Sequence, residues 1–221
     1  MSKIITILGD SIARGLTYDS AAQRYAICRE TFMNALSDKG YNIKNLARVG
    51  GTIENAAEMF EKCDKQPNTL LVIEVGGNDS ALNWKEVARS PEIYHEAVVP
   101  LKLFGTKLRS LLTRAKEYSM QPLLVTPLPV VAEKYIRWAA KGFNFEAIMQ
   151  YLGSYEWIYR WQERYVLEAL KAVQDVGGCR VFDLRSEFLL QRNFASLMCE
   201  DGIHPNMDGY KLIRNAVLAL T

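Results

Sequence analysis

The sequence predicts an α/β protein of three layers, with a five-stranded parallel sheet between two layers of helices. Short apolar runs rich in Ile, Val and Leu fall at 3–8, 41–47, 69–75, 122–126 and 180–183, and stretches at helical spacing separate them. The runs are mostly continuous rather than alternating, which suits strands covered on both faces. Repeated strand–helix order then favours an open sheet wound by right-handed crossovers.

Taken in order, the first run is Ile4-Ile5-Thr6-Ile7-Leu8, ended by Gly9. A helix is expected over 20–39, where Tyr25, Ala26, Phe32, Met33 and Leu36 share a stripe and Gly40 suits the C-terminal stop. After the second run, 54–64 reads as a shorter helix. After the third, 100–118 carries Leu101, Phe104, Leu108, Leu111, Leu112 and Ala115 at helical spacing. The fourth run opens a region, 127–154, without clear periodicity. A strong helix follows over 155–175, through Ile158, Tyr159, Gln162, Val166, Ala169, Leu170 and Val173, and Gly177-Gly178 ends it. The last helix spans 207–220, with Tyr210, Ile213, Ala216, Val217 and Leu220 facing inward.

The totals restrict the function. The 221 residues, 49% apolar and 24% charged, fit one domain over 1–221 with a sizeable core. With 27 Lys+Arg against 25 Asp+Glu, the net charge of +2 gives no general attraction to nucleic acid or anionic lipid. The four cysteines (Cys28, Cys63, Cys179, Cys199) form no C-x-x-C pair, and there are only two histidines. Buried free thiols are expected, with no metal and no cofactor. The N-terminal apolar run is too short for a signal peptide, and no stretch approaches the roughly 18 apolar residues of a membrane span. A cytoplasmic location is the default expectation. Neither G-x-G-x-x-G nor a phosphate loop with Lys-Ser or Lys-Thr is present, which weighs against a nucleotide-binding protein.

The chemistry lies between the elements. Ligands of open α/β sheets collect beyond the carboxyl ends of the strands, where strand order reverses. The first three runs lead into Gly9-Asp10-Ser11, Arg48-Val49-Gly50-Gly51-Thr52 and Gly76-Gly77-Asn78-Asp79. With strand order 2-1-3-4-5, Ser11, Gly50 and Asn78 converge from adjacent loops. A fourth segment, Asp201-Gly202-Ile203-His204, precedes the last helix. A serine hydroxyl attacks a carbonyl only when a base removes its proton, and His204 titrates in the right range. Asp201, three residues earlier, can hold the imidazole tautomer. The backbone N–H groups of Ser11 and Gly50, with the Asn78 amide, can face an oxyanion. Each segment alone is more often a turn than a site; the four together, each at an element boundary, are far less accidental. His95 has no strand end beside it and reads as a surface residue.

At these residues the chain resembles the SGNH hydrolases, the GDSL-type lipases and esterases. Gly9-Asp10-Ser11 is similar to the family's first block, with Ile12 where leucine is usual. Asn45 through Thr52 resembles the second, Gly76-Gly77-Asn78-Asp79 the third, and Asp201-Gly202-Ile203-His204 the fifth. The resemblance spans nearly the whole chain. It implies a flavodoxin-like α/β/α fold, serine esterase chemistry through an acyl-enzyme, and no metal. A binding module that recognises an acylated ligand without turnover is the rival, disfavoured because every catalytic position carries the expected residue.

The substrate is read from 135–165, which holds ten aromatics and three of the four tryptophans. Core packing and a homo-oligomer contact would account for much of such a cluster. The functional alternative is a wall over the strand-four end of the pocket, from Trp138, Trp157 and Trp161 with Thr126. Trp157 and Trp161 lie one turn apart, off the main stripe of their helix, giving it two apolar faces. A short-chain acyl ester such as an O-acetylated carbohydrate or metabolite is the expected substrate, with lysophospholipase or thioesterase activity the alternative within the same family.

Overall fold

A computed structural model describes residues 4–28 and 31–220. Its centre is a five-stranded, wholly parallel sheet. The strands are β1 (Ile4–Leu8), β4 (Asn42–Asn45), β5 (Leu70–Glu74), β6 (Gln121–Val125) and β7 (Arg180–Phe182), ordered β4-β1-β5-β6-β7. Renumbered along the chain, this is the expected order 2-1-3-4-5. Lys3, placed in the first run, lies outside the described residues.

Alternate side chains of the central strands feed two cores. Leu8, Leu71, Ile73 and Leu124 face helices α2 (Ile53–Lys62), α4 (Leu101–Glu117) and α7 (Glu156–Val176). Ile5 and Ile7 face α1 (Phe32–Asp38), while Val125 and Phe182 face α8 (Leu184–Leu189) and α9 (Met207–Ala219). The edge strands β4 and β7 are half-exposed, so only the inner three match a strand buried on both sides. Helices α4 and α7 pack closely at Gly105, where an added Cβ would come within 2.8 Å of Glu168 and Arg109 side-chain atoms. Arg109 bridges Glu168 and Asp175 across that contact.

Of the helix expected over 20–39 the described residues form only α1; where its first half was expected lie the turn and second strand of a hairpin, β3 (Arg24–Ile27) against β2 (Leu16–Asp19), pairing Tyr18 with Tyr25. Asp19 turns the chain by accepting from the N–H groups of Ala21 and Ala22, and Gln23 adopts φ +50, which a helix does not tolerate. The stripe was real only from Phe32 onward, and Gly40 does adopt the left-handed φ of +80 beyond its end.

The aperiodic region contains two eight-residue helices, α5 (Ala132–Ala139) and α6 (Phe145–Leu152), separated at Gly142. Each is too short to establish a period. A further short helix, α3 (Trp84–Arg89), follows β5. On α7 the inner face is Ile158, Gln162, Tyr165, Val166, Ala169 and Val173, whereas Tyr159 and Leu170, expected on it, are exposed, as is Leu220 at the end of α9. Of the four cysteines, Cys28 and Cys199 are buried, whereas Cys63 and Cys179 are only partly so, a correction to the expectation of burial for all four. Among the described residues no helix is long and apolar enough to cross a membrane, and no group of His, Cys, Asp and Glu could hold a metal ion.

Candidate active site

The exit of β1 is constrained before it reaches Ser11. A Cβ on Gly9 would lie 2.9 Å from the Ala13 Cβ and 3.0 Å from Glu74 Oε2, so no side chain fits there. Asp10 is buried and braces three segments. Its N–H donates to Glu74 Oε2 (3.1 Å), its Oδ1 accepts from the Ile12 N–H (2.7 Å), and its Oδ2 accepts from Asn78 Nδ2 (2.9 Å). Ser11 then stands at the mouth of a cavity, its hydroxyl 2.8 Å from His204 Nε2.

His204 is held by its own loop. The Asp201 Oδ2 atom lies 2.6 Å from His204 Nδ1, while Oδ1 accepts from the N–H groups of Ile203 (3.1 Å) and His204 (3.0 Å). Burial pushes the Asp201 carboxyl up, but the hydrogen bonds and charge of His204 outweigh it and hold it below the usual value. Gly202 makes the loop geometrically feasible. It adopts φ +72, and a Cβ there would sit 2.6 Å from the Val131 carbonyl and 2.7 Å from the Tyr135 nitrogen. Its own carbonyl accepts from the Val131 N–H (2.8 Å), which ties the loop to α5. Beyond it, Asn206 caps α9 by accepting from the N–H groups of Asp208 and Gly209.

The loops after β4 and β5 close the other side. Gly50 occupies the third position of a turn in which the Gly51 N–H returns to the Arg48 carbonyl (2.9 Å), and its φ of +71 is what a type II turn requires there. Gly51 packs so closely on Gly9 that a Cβ would be 2.8 Å from the Gly9 carbonyl. Asp79, wholly buried, accepts from the Ile53 N–H at the start of α2 and from the Gly76 N–H, both at 2.9 Å. Burial raises its carboxyl to about 6. Among the described residues, the backbone N–H groups of Ser11 and Gly50 donate to no protein acceptor. The Asn78 amide is already engaged, donating to Asp10 Oδ2 and to the Gly51 carbonyl (3.1 Å). Gly50 itself is exposed and lies outside the cavity wall.

The cavity has a volume of about 100 Å³. Trp157 and Trp161 of α7 line it, stacked with centroids 4.7 Å apart and planes 16° from parallel. Trp161 Nε1 donates to the Ser80 carbonyl (2.7 Å), and Trp84 Nε1 donates to the Tyr135 hydroxyl (3.1 Å). The indole donors of Trp84 and Trp161 are therefore satisfied, and their rings present apolar surface. Gln162 is buried beneath them, donating to the Leu128 carbonyl and accepting from Arg185 Nη1, both at 2.9 Å.

Two of the expected substrate contacts are placed differently. Thr126 is buried, and its hydroxyl donates to Asp183 Oδ1 (2.9 Å) and accepts from the Arg185 N–H (3.0 Å), so it joins the end of β6 to the start of α8 rather than lining the cavity. Trp138 lies outside the cavity as well, packed edge-on against Tyr18 with Lys141 Nζ 3.4 Å from its ring centroid. Two residues near Ser11 and His204 were not foreseen. Glu74, buried at the end of β5, borders the cavity and holds Asp10; burial pushes its carboxyl up, and Asp10 is likewise raised by burial and by the Glu74 charge. Tyr25 of β3 donates to Asp201 Oδ2 at 3.0 Å. His95, expected at the surface, is partly buried and accompanied by Tyr151 and the Ser90 carbonyl, away from these groups.

A family model described as GDSL-like Lipase/Acylhydrolase family matches residues 7–212. No curated protein sequence matches the chain. Among solved structures, an acetyl xylan esterase is 18% identical with a TM-score of 0.63, over 99% of each chain. A lipase/acylhydrolase from Enterococcus faecalis is 16% identical with a TM-score of 0.63, over 100% of this chain and 95% of that one. A psychrotrophic esterase from a Pseudoalteromonas species is 17% identical with a TM-score of 0.60, over 99% and 96%. At these identities the structures share the fold.

Proposed function

We propose, from the premise that the chain belongs to the GDSL-like Lipase/Acylhydrolase family, that this GDSL-type serine hydrolase cleaves short-chain acyl esters. The observation that carries this reading is the Ser11–His204–Asp201 relay opening on a small, aromatic-walled cavity. In this reading Ser11 Oγ attacks the ester carbonyl while His204 Nε2 takes its proton. The tetrahedral intermediate collapses as His204 returns that proton to the departing alcohol, leaving an acyl group on Ser11. Water, deprotonated by the same nitrogen, releases the acid and restores the serine. Asp201 stabilises the imidazolium in both halves.

The N–H groups of Ser11 and Gly50 are the oxyanion donors this reading uses first, because neither has a protein acceptor among the described residues. Asn78 joins them by turning one amide proton from Asp10 or the Gly51 carbonyl toward the developing charge. Acyl size follows from the cavity. A cavity of about 150 Å³ holds a benzene ring, so about 100 Å³ accommodates an acyl chain of roughly two to four carbons. The alcohol leaves on the open side, where an O-acetylated carbohydrate or similar metabolite can be presented.

Turnover of p-nitrophenyl esters from acetyl to octanoyl, beside a panel of acetylated sugars, tests both parts. Activity should peak at two to four carbons, and Ser11→Ala should lose at least about 10³-fold in kcat. A preference for octanoyl, or turnover unaffected by Ser11→Ala, would refute the reading.

A further inference from the structure

The Asp201 carboxylate receives four donors. Oδ1 takes the two N–H groups of its own loop, and Oδ2 takes His204 Nδ1 at 2.6 Å and the Tyr25 hydroxyl at 3.0 Å. Three of these donors come from within three residues. The fourth arrives from 176 positions away, on a hairpin whose two strands pair only with each other. The Tyr25 ring also stands edge-on to the imidazole, centroids 5.3 Å apart at 68°. Tyr18, its cross-strand neighbour, and Trp138 back it from behind. Burial and the Asp201 charge push the Tyr25 phenol upward, so it stays protonated and keeps its proton for Asp201.

We propose that Tyr25 is a positioning residue for the acid–base pair: its hydroxyl shares Asp201 Oδ2 with His204 Nδ1, and its ring edge fixes the imidazole facing Ser11. This rests on the reading of Ser11 and His204 as nucleophile and base. A carboxylate oxygen that satisfies two donors is a weaker partner for an imidazolium than one that satisfies a single donor. Tyr25 thereby divides the accepting capacity of Asp201 Oδ2 between two donors and weakens the hold of that oxygen on the imidazole. The other charged or titratable groups around the pair are Glu74 and Asp10 behind Ser11, Glu200 and Cys199 in the same loop, Tyr18 on the hairpin, and Lys134 beneath it. Among the described residues none of these donates to Asp201 Oδ2.

Tyr25→Phe keeps the ring and removes one donor. The acidic limb of kcat/KM should move up by about 0.5–1 pH unit, with the plateau within about tenfold of the parent. Because the chain has two histidines, an NMR imidazole titration should show His204 shifting upward by the same amount while His95 stays in place. Tyr18→Phe, which removes only the bond from Tyr18 to Gln23, should leave both readouts unmoved. An unshifted His204 in Tyr25→Phe, or an equal shift in Tyr18→Phe, overturns the inference while Ser11-dependent turnover stands. Turnover that survives Ser11→Ala overturns the underlying reading, and the positioning role with it.

Discussion

Gly202 occupies a position where two independent constraints coincide. Its φ of +72 disfavours any side chain, and the Val131 carbonyl leaves no room for a Cβ even in a tolerated conformation. Gly202→Ala must therefore displace the Asp201–His204 loop from α5. Thermal melts should show a loss of about 1–3 kcal/mol, and kcat should fall further than KM changes because His204 moves relative to Ser11. Asn78 is a different case, since its amide both braces Asp10 and Gly51 and, in the proposed mechanism, reaches the oxyanion. Asn78→Ala should lower kcat by about 10²–10³-fold, the usual cost of one such donor; a decrease confined to KM would assign Asn78 to bracing alone. Asn78 and Gly202 were legible in the sequence because each sits in a short motif at an element boundary, Gly76-Gly77-Asn78-Asp79 and Asp201-Gly202-Ile203-His204. Tyr25 was not, since its partner is remote and Tyr25, Ala26, Phe32 and Leu36 imitate a helical stripe. Thr126 was misread because a polar residue at a strand end looks the same whether it faces a pocket or a neighbouring helix start.

At the level of elements, α7 carries two apolar faces with separate duties. Val166, Ala169 and Val173 are buried in the fold, and Trp157 and Trp161 border the cavity. Trp161→Ala should enlarge the acyl site and move the chain-length optimum beyond four carbons in the ester series. Its stability cost should be about 3 kcal/mol or less, because the ring is only partly buried. An unchanged optimum would place the acyl chain elsewhere. The second face was visible as an off-stripe pair at i, i+4. The neighbouring α5 and α6 were not visible, because eight residues give barely two turns and the break at Gly142 resets the phase. The five strands were readable because continuous branched aliphatic runs have few alternatives at that length.

For the whole molecule, buried carboxyls set how stability responds to pH. Asp10, Glu74 and Asp79 all titrate above their ordinary values, each chiefly through burial. A group whose folded value exceeds its unfolded one binds more protons when folded. Its contribution is fully present below the unfolded value and is lost as pH rises through the folded one. For Asp79 that window runs from 3.8 to about 6, worth at most about 3 kcal/mol. Asp201, held below its usual value, contributes in the opposite sense, and its share is lost only as pH falls through that lowered value. Urea midpoints should therefore be higher at pH 5 than at pH 7.5, and Asp79→Asn should narrow the difference. The proposed base must be neutral to act, so activity should decline across the interval in which the fold gains stability. A midpoint that is equal or lower at pH 5 would show that these carboxyls are ionised in the folded protein.

The stacked indoles have one more consequence. The chain has four tryptophans; Trp84, Trp157 and Trp161 border the cavity, and Trp138 packs on the hairpin that carries Tyr25. Every strong ultraviolet emitter in the protein thus lies within or beside the proposed site. Intrinsic fluorescence becomes a gauge of occupancy as well as of folding: a phosphonate attached to Ser11 should alter emission from an otherwise intact fold, with no dye or label required.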